Sequence, residues 1–215
     1  LIVGINSNRG LCGGFNNNVA KKVKLIAAEH KNSIVNILPI GKKMADAIKN
    51  TDFVIKGTLL PSNTEALWNN LSFESISEVA QNLMDGFAEG GLDKIIIVYN
   101  AFKNAGVQIV TTEQFLPIIP VKQDEKTSST DYIFEPSKEE IVNNLIPNSL
   151  KTQLYKAMLD SFASEHGARM TAMHKATDNA TDLKKELQLF YNKARQTAIT
   201  NEILEIVGGA EALND

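Results

Sequence analysis

From Leu1 to about Leu116, short apolar runs alternate with longer stretches of helical period, the rhythm of strands covered by helices. The pattern predicts an α/β domain with strands at Leu1–Asn6, Ser33–Ile40, Phe53–Leu59, Lys94–Ala101 and Val107–Phe115. Val19, Val23, Ile26 and Ala27 mark a first helix, for which Asn16, Asn17 and Asn18 supply capping oxygens. A second helix is predicted over Lys42–Lys49. A third begins near Ser62 or Asn63, carries Leu67, Leu71, Ile76, Val79, Leu83 and Phe87, and stops at Gly90-Gly91. Lys103-Asn104-Ala105-Gly106 reads as the loop of a hairpin at a sheet edge.

The pattern changes beyond this region. Pro120 to Pro136 is polar, with one apolar patch at Tyr132-Ile133-Phe134, and reads as a surface loop. Ser137-x-x-Glu140 has the form of a capping box. No proline follows Pro147, so one helix is predicted from about Ser149 to Leu213, roughly 65 residues and roughly 95 Å at 1.5 Å per residue. The chain therefore divides into residues 1–136, the α/β domain, and 137–215, a C-terminal helical region.

Along that helix Met173, Ala176, Ala180, Leu183, Leu187, Phe190 and Ala194 recur at alternating steps of three and four, a heptad seam that asks for a partner helix. The seam slips near Thr197 and resumes at Ile199, Ile203, Ile206 and Ala210, so the helix changes the face it offers. The tip, Ile203 to Leu213, has almost no polar side and predicts enclosure by a partner.

Composition narrows the function classes. Lys plus Arg number 22 against 25 Asp plus Glu, so the chain has no basic field to collect nucleic acid or anionic lipid. The longest apolar runs, Ile95–Tyr99 and Phe115–Ile119, fall far short of the roughly 20 residues that cross a bilayer, which predicts no direct membrane insertion. The single cysteine, Cys12, fits a reducing compartment. Leu1-Ile2-Val3-Gly4-Ile5 is a buried-strand sequence without initiator Met, and predicts further chain upstream.

The turn Asn8-Arg9-Gly10-Leu11-Cys12-Gly13-Gly14-Phe15-Asn16 stands between a strand and a helix, where phosphate-binding loops occur. Such a loop carries Lys and a hydroxyl residue after its last glycine, and here Phe15-Asn16 takes that place. A tight structural turn is the simpler reading. Cys12 has no histidine near it in sequence, and His166 and His174 are not at the i, i+4 spacing of a shared metal. The carboxylates are scattered, and Glu139-Glu140 is explained by a helix N-terminus. The residues therefore predict no catalytic residue, cofactor or metal.

Two stretches resemble the gamma subunit of F-type ATP synthases. One is Ser7-Asn8-Arg9-Gly10-Leu11-Cys12-Gly13-Gly14-Phe15-Asn16. The other is Ala176-Thr177-Asp178-Asn179-Ala180, continuing through Glu186-Leu187, Tyr191-Asn192-Lys193-Ala194-Arg195-Gln196, Ile199-Thr200-Asn201-Glu202 and Glu205-Ile206-Val207-Gly208-Gly209-Ala210. The resemblance implies a Rossmann-like α/β domain followed by a very long C-terminal helix, which forms an antiparallel coiled coil with an N-terminal helix missing here. It also implies a non-catalytic rotor shaft that couples proton translocation to ATP chemistry on alpha and beta subunits. Arg195, Gln196, Thr200 and Glu202 match residues that meet a beta-subunit loop. Tyr132, Phe134 and Glu135 match a foot toward the membrane c-ring and epsilon subunit, and Leu183, Leu187 and Phe190 form the coiled-coil seam. A bacterial origin and the cytoplasmic face of the inner membrane are implied, with no thiol regulation.

Two other functions stay open on sequence: a nucleotide-binding module or enzyme using the Gly10–Gly14 turn, and a generic coiled-coil adaptor. Nucleotide binding by the chain separates the first, and binding without effect on ATP turnover the second.

Overall fold

A computed structural model describes the chain except for residues 31–32, 52–63, 120–134, 136 and 212–215, and gives the backbone alone at 65 and 211. It divides into two compact units, Leu1–Thr171 and the residues from Ala172 onward.

The first unit holds a four-stranded sheet of order β2-β1-β3-β4. β1 (Ile2–Ile5) lies parallel to β2 (Ile37–Ile40) and to β3 (Ile95–Asn104), while β4 (Val107–Leu116) returns antiparallel along β3. Alternation along the strands sorts the side chains onto two faces. Ile2, Ile37, Ile96 and Val98 pack under α1 (Phe15–Glu29) and α2 (Lys42–Ile48), against Val19, Val23, Ile26 and Met44. Val3, Ile5, Leu38, Ile95 and Ile97 face the other side. There they meet Trp68 of α3 (Glu65–Asn69), Ile76, Val79 and Leu83 of α4 (Phe73–Ala88), and Leu150, Leu154 and Met158 of α5 (Lys138–Glu211). β1 is buried on both faces, as an interior parallel strand requires.

Several boundaries differ from the sequence reading. β2 starts at Ile37, not Ser33, and it holds Pro39 opposite Gly4; as an edge among the described strands it tolerates the missing N–H. The predicted strand Phe53–Leu59 and the start of the third helix near Ser62 lie outside the described residues. Within the described part that helix is broken in two at Asn70–Ser72. Ser72 has extended backbone, and its Oγ accepts the N–H of Ser75 at 3.2 Å, so a new helix starts there in place of a continued one. The stop at Gly90-Gly91 holds: Gly90 lies at φ +76, and the N–H groups of Gly90 and Gly91 reach the carbonyls of Phe87 and Gly86, a Schellman closure.

The asparagine caps predicted for α1 do not form. The helix opens at Phe15 after Gly14 with no side-chain cap, because Asn16 is engaged elsewhere. The hairpin loop is tighter than predicted, since Asn104 pairs with Val107 and its Oδ1 accepts from the N–H groups of Gly106 and Val107. α5 begins at Lys138, well before Ser149. Ser137 Oγ caps it by accepting the Glu140 N–H at 3.2 Å. Pro147 lies inside the helix on a largely exposed stretch, where water can satisfy the carbonyl that its missing N–H leaves free.

Candidate partner interface and the glycine-rich turn

The turn after β1 directs its polar groups inward. Ser7 is fully buried; its N–H and hydroxyl both donate to Asn16 Oδ1, at 3.1 and 3.0 Å. Asn16 Nδ2 donates to Cys12 Sγ at 3.1 Å, and Asn6 Nδ2 to the Asn16 carbonyl at 3.1 Å. Leu11 and Gly13 take left-handed backbone, at φ 62 and 60, to close the loop. α2 anchors the turn from a second side through Lys42 N–H to Asn8 Oδ1 and Lys43 N–H to the Ser7 carbonyl. Gly41 is required there, because a Cβ on it would lie 2.0 Å from the Asn6 carbonyl oxygen. α5 closes a third side, with Ala168 against Cys12 and Phe15, and Arg169 bonded both to Glu165 and to the Gly10 carbonyl. The turn is thus a lock between β1, α1, α2 and α5, with its one hydroxyl already engaged.

The other candidate chemistry is similarly occupied. His30 Nδ1 lies 2.9 Å from the Ile26 carbonyl, and the His166 ring meets Phe162 edge-on at 4.6 Å. Tyr99, buried beside α5, donates its hydroxyl to Glu113 at 2.6 Å; burial first, and then that carboxylate, push its pKa well above the usual tyrosine value. Glu113 also accepts from Gln153 of α5 at 3.1 Å.

The second unit is helical as far as described and lies open along its length. Leu183, Leu187 and Phe190 are 56%, 58% and 72% exposed, and share one face at 100° per residue. Ile199, Ile203 and Ile206 are exposed as well, but on a stripe turned by about 160° from the first on an ideal helix. Arg195 and Glu202 fall within about 20° of each other on one flank between these stripes, and Gln196 and Thr200 occupy the other flank. All four are exposed, and Thr200 Oγ1 bonds back to the Gln196 carbonyl at 2.8 Å. The structure therefore sets these four near the change of face as two pairs on opposite flanks of the helix, not as one cluster. Of the predicted foot, Glu135 is exposed, whereas Tyr132 and Phe134 lie outside the described residues. Among the described residues, nothing outside its own stretch of helix lies within 4 Å of where a Cβ would stand on Gly208 or Gly209.

Sequence reasoning missed the inner polar face of α5. Ser161, Ser164 and Glu165 are buried, and Ser164 Oγ donates to the carbonyl of Asn100 at 3.0 Å. The signal was available: Ala157, Ser161, Ser164 and Ala168 form a stripe of small residues at helical spacing, which lets a helix approach a backbone closely.

Sheet domain and exposed heptad helix together define a class of stalk or adaptor protein that works by contact. The ATP synthase family profile matches residues 1–213. Among similar proteins, the ATP synthase gamma chain of Flavobacterium psychrophilum is 60% identical over 213 residues, covering 99% of this chain and 72% of the relative. That of Flavobacterium johnsoniae is 58% identical, covering 100% and 73%. In solved structures, the fold matches a chain of the Euglena gracilis mitochondrial ATP synthase in an OSCP/F1/c-ring assembly, with TM-score 0.68 and 21% identity over 99% of this chain and 72% of that one. A chain of the Tetrahymena thermophila mitochondrial ATP synthase central stalk and c-ring matches with TM-score 0.60 and 24% identity, over 82% and 75%. The chain belongs to the ATP synthase gamma-chain family, whose members are non-catalytic stalk subunits. Among the described residues, no helix is long and apolar enough to cross a membrane.

Proposed function

We propose that this chain is the central rotor shaft of a bacterial F-type ATP synthase, working at the cytoplasmic face of the inner membrane and coupling proton flow to ATP synthesis and hydrolysis. Its partners are the alpha and beta subunits around the helix, and the epsilon subunit and membrane c-ring at the foot. Residues 1–136 serve as the Rossmann-like α/β domain and 137–215 as the helical region. Leu183, Leu187 and Phe190 pack on a partner helix, and Arg195, Gln196, Thr200 and Glu202 meet a beta-subunit loop as each catalytic site comes round. Glu135, with Tyr132 and Phe134, belongs to the foot.

The observation that carries this reading is the seam: apolar residues at heptad spacing, more than half exposed, in a chain 60% identical to a gamma chain. A helix that shows two stripes on different sides presents unlike faces to identical neighbours, and asymmetric contact can hold three catalytic sites out of phase. The test is reconstitution of the full-length protein with alpha, beta and membrane-sector subunits lacking their own gamma chain. Restored ATP-driven proton pumping is expected. Co-purification without pumping would reduce the chain to an adaptor.

A further inference from the structure

A shaft that transmits torque needs more than burial where it meets its sheet domain. Apolar contact is non-directional, and a helix held by Leu and Met side chains alone can turn about its axis and repack. Hydrogen bonds and backbone-to-backbone approach resist such turning because they depend on angle. Apart from Gln153, whose Nε2 donates to Glu113 at 3.1 Å, the contacts of this second kind that α5 makes with the sheet domain among the described residues gather in one short stretch at the end of the first unit. Ser164 Oγ donates to the Asn100 carbonyl at 3.0 Å. Gly167 sits so close to the hairpin turn that a Cβ would stand 3.0 Å from the Ala105 carbonyl oxygen. Thr171 Oγ1 reaches that same oxygen at 3.1 Å, and its own helix at the Gly167 carbonyl at 3.0 Å.

Ser164, Gly167 and Thr171 fall on one side of the helix, while Glu165 and Arg169 lie about 100–140° round from Ser164. From that flank Arg169 donates through Nε and Nη2 to the Gly10 carbonyl, both at 3.4 Å, and is held by Glu165, itself only 5% exposed. The helix is therefore gripped from two directions, by the β3–β4 hairpin and by the turn after β1. Rotation in either sense breaks directional contacts on both sides.

We propose that Ser164–Thr171 is the torque-bearing joint of this chain, fixing the rotational setting of α5 on the sheet domain so that twist applied to the helix turns the domain and does not slip. The proposal rests on the rotor reading above. Ser164, Arg169 and Thr171 are positioning residues in it.

The test uses the full-length protein in the assembled synthase. In one variant Ser164→Ala, Glu165→Leu, Arg169→Leu and Thr171→Val replace the polar pins with apolar groups, since exchanging a buried ion pair for apolar residues commonly leaves stability intact or raises it. A milder variant carries Ser164→Ala and Thr171→Val only. Protons pumped per ATP hydrolysed, and the torsional stiffness of the stalled rotor read from the fluctuations of a bead fixed to the sheet domain, are the readouts. Stiffness and pumping ratio are expected to fall by roughly a factor of two or more in the first variant while hydrolysis continues, because the directional bonds are gone and the burial remains. Unchanged stiffness and ratio overturn the joint, as does a loss of thermal stability alone. Should the first variant not assemble, the stiffness of the milder one decides: a fall supports the joint and no change overturns it. If the unsubstituted complex itself does not pump, the rotor reading fails independently of the joint.

Discussion

From Leu150 to Ala168, Leu154, Ala157 and Met158 are sealed against the sheet, whereas from Leu183 to Val207 apolar residues at much the same spacing are open to water. Both stretches belong to α5, and an apolar stripe is visible in each. The difference lies in what accompanies the stripe. The inner stretch mixes small residues with buried Ser164 and Glu165, whose polar atoms find partners on the sheet domain and on α5 itself. The outer stretch places Leu183, Leu187, Phe190 and Ala194 at heptad spacing with no buried polar side chain among its described residues, the pattern of a helix that packs on another helix. A stripe shows that a helix buries a face; its buried polar members show whether the cover is its own domain.

Substitutions can break this comparison, and the largest effect is expected inside. Leu154→Ala removes a side chain with no exposure from the middle of the core and should cost about 2–5 kcal/mol in denaturant unfolding followed by the fluorescence of Trp68, itself buried. Gly167→Val should cost about 1–3 kcal/mol, because the new side chain meets the Ala105 backbone, which cannot move aside as a flexible side chain could.

The pH dependence sharpens the contrast from another direction. Tyr99 is neutral and hydrogen-bonded in the folded state, with a raised pKa, so above the ordinary tyrosine pKa of about 10 the unfolded chain loses a proton that the folded chain keeps. That contribution is complete below about pH 10 and declines as pH rises beyond it. Tyr99→Phe should flatten the alkaline fall in stability measured by the same unfolding curves. Smallest of all, Phe190→Ala in the isolated chain should shift stability by no more than about 0.5 kcal/mol, since the side chain is already 72% exposed. A core-like loss at Phe190 would mean that the outer stretch is covered by its own chain.

Much of the sheet domain was legible because its strands and helices differ in period. β1, β3 and β4 were found within a few residues, and the glycine stop of α4 within one or two, since Gly90 must take a left-handed backbone. The errors share a cause: a polar residue has more than one use, and pattern does not say which. Asn16 was read as a cap and instead holds Ser7; Ser72 was read as one more helix residue and instead starts a helix; Pro147 was read as a boundary, yet an exposed helix accommodates it. The torque-bearing stretch escaped notice for the same reason, as Ser164 and Arg169 look like surface positions until the sheet is placed beside them. The exposed face that carries Leu183, Leu187 and Phe190 was legible from spacing, because a heptad repeat concerns the helix alone.

Hydrogen exchange along α5 tests the account most directly, measured on the isolated chain as a demonstrated monomer and again in the assembled synthase. In the monomer, slow exchange is expected from Leu150 to Ala168 and fast exchange beyond about Met173, with the outer stretch becoming protected on assembly. Strong protection through to Val207 in the monomer, unchanged on assembly, would contradict the account, because the seam would then be covered by its own chain and no partner would be needed.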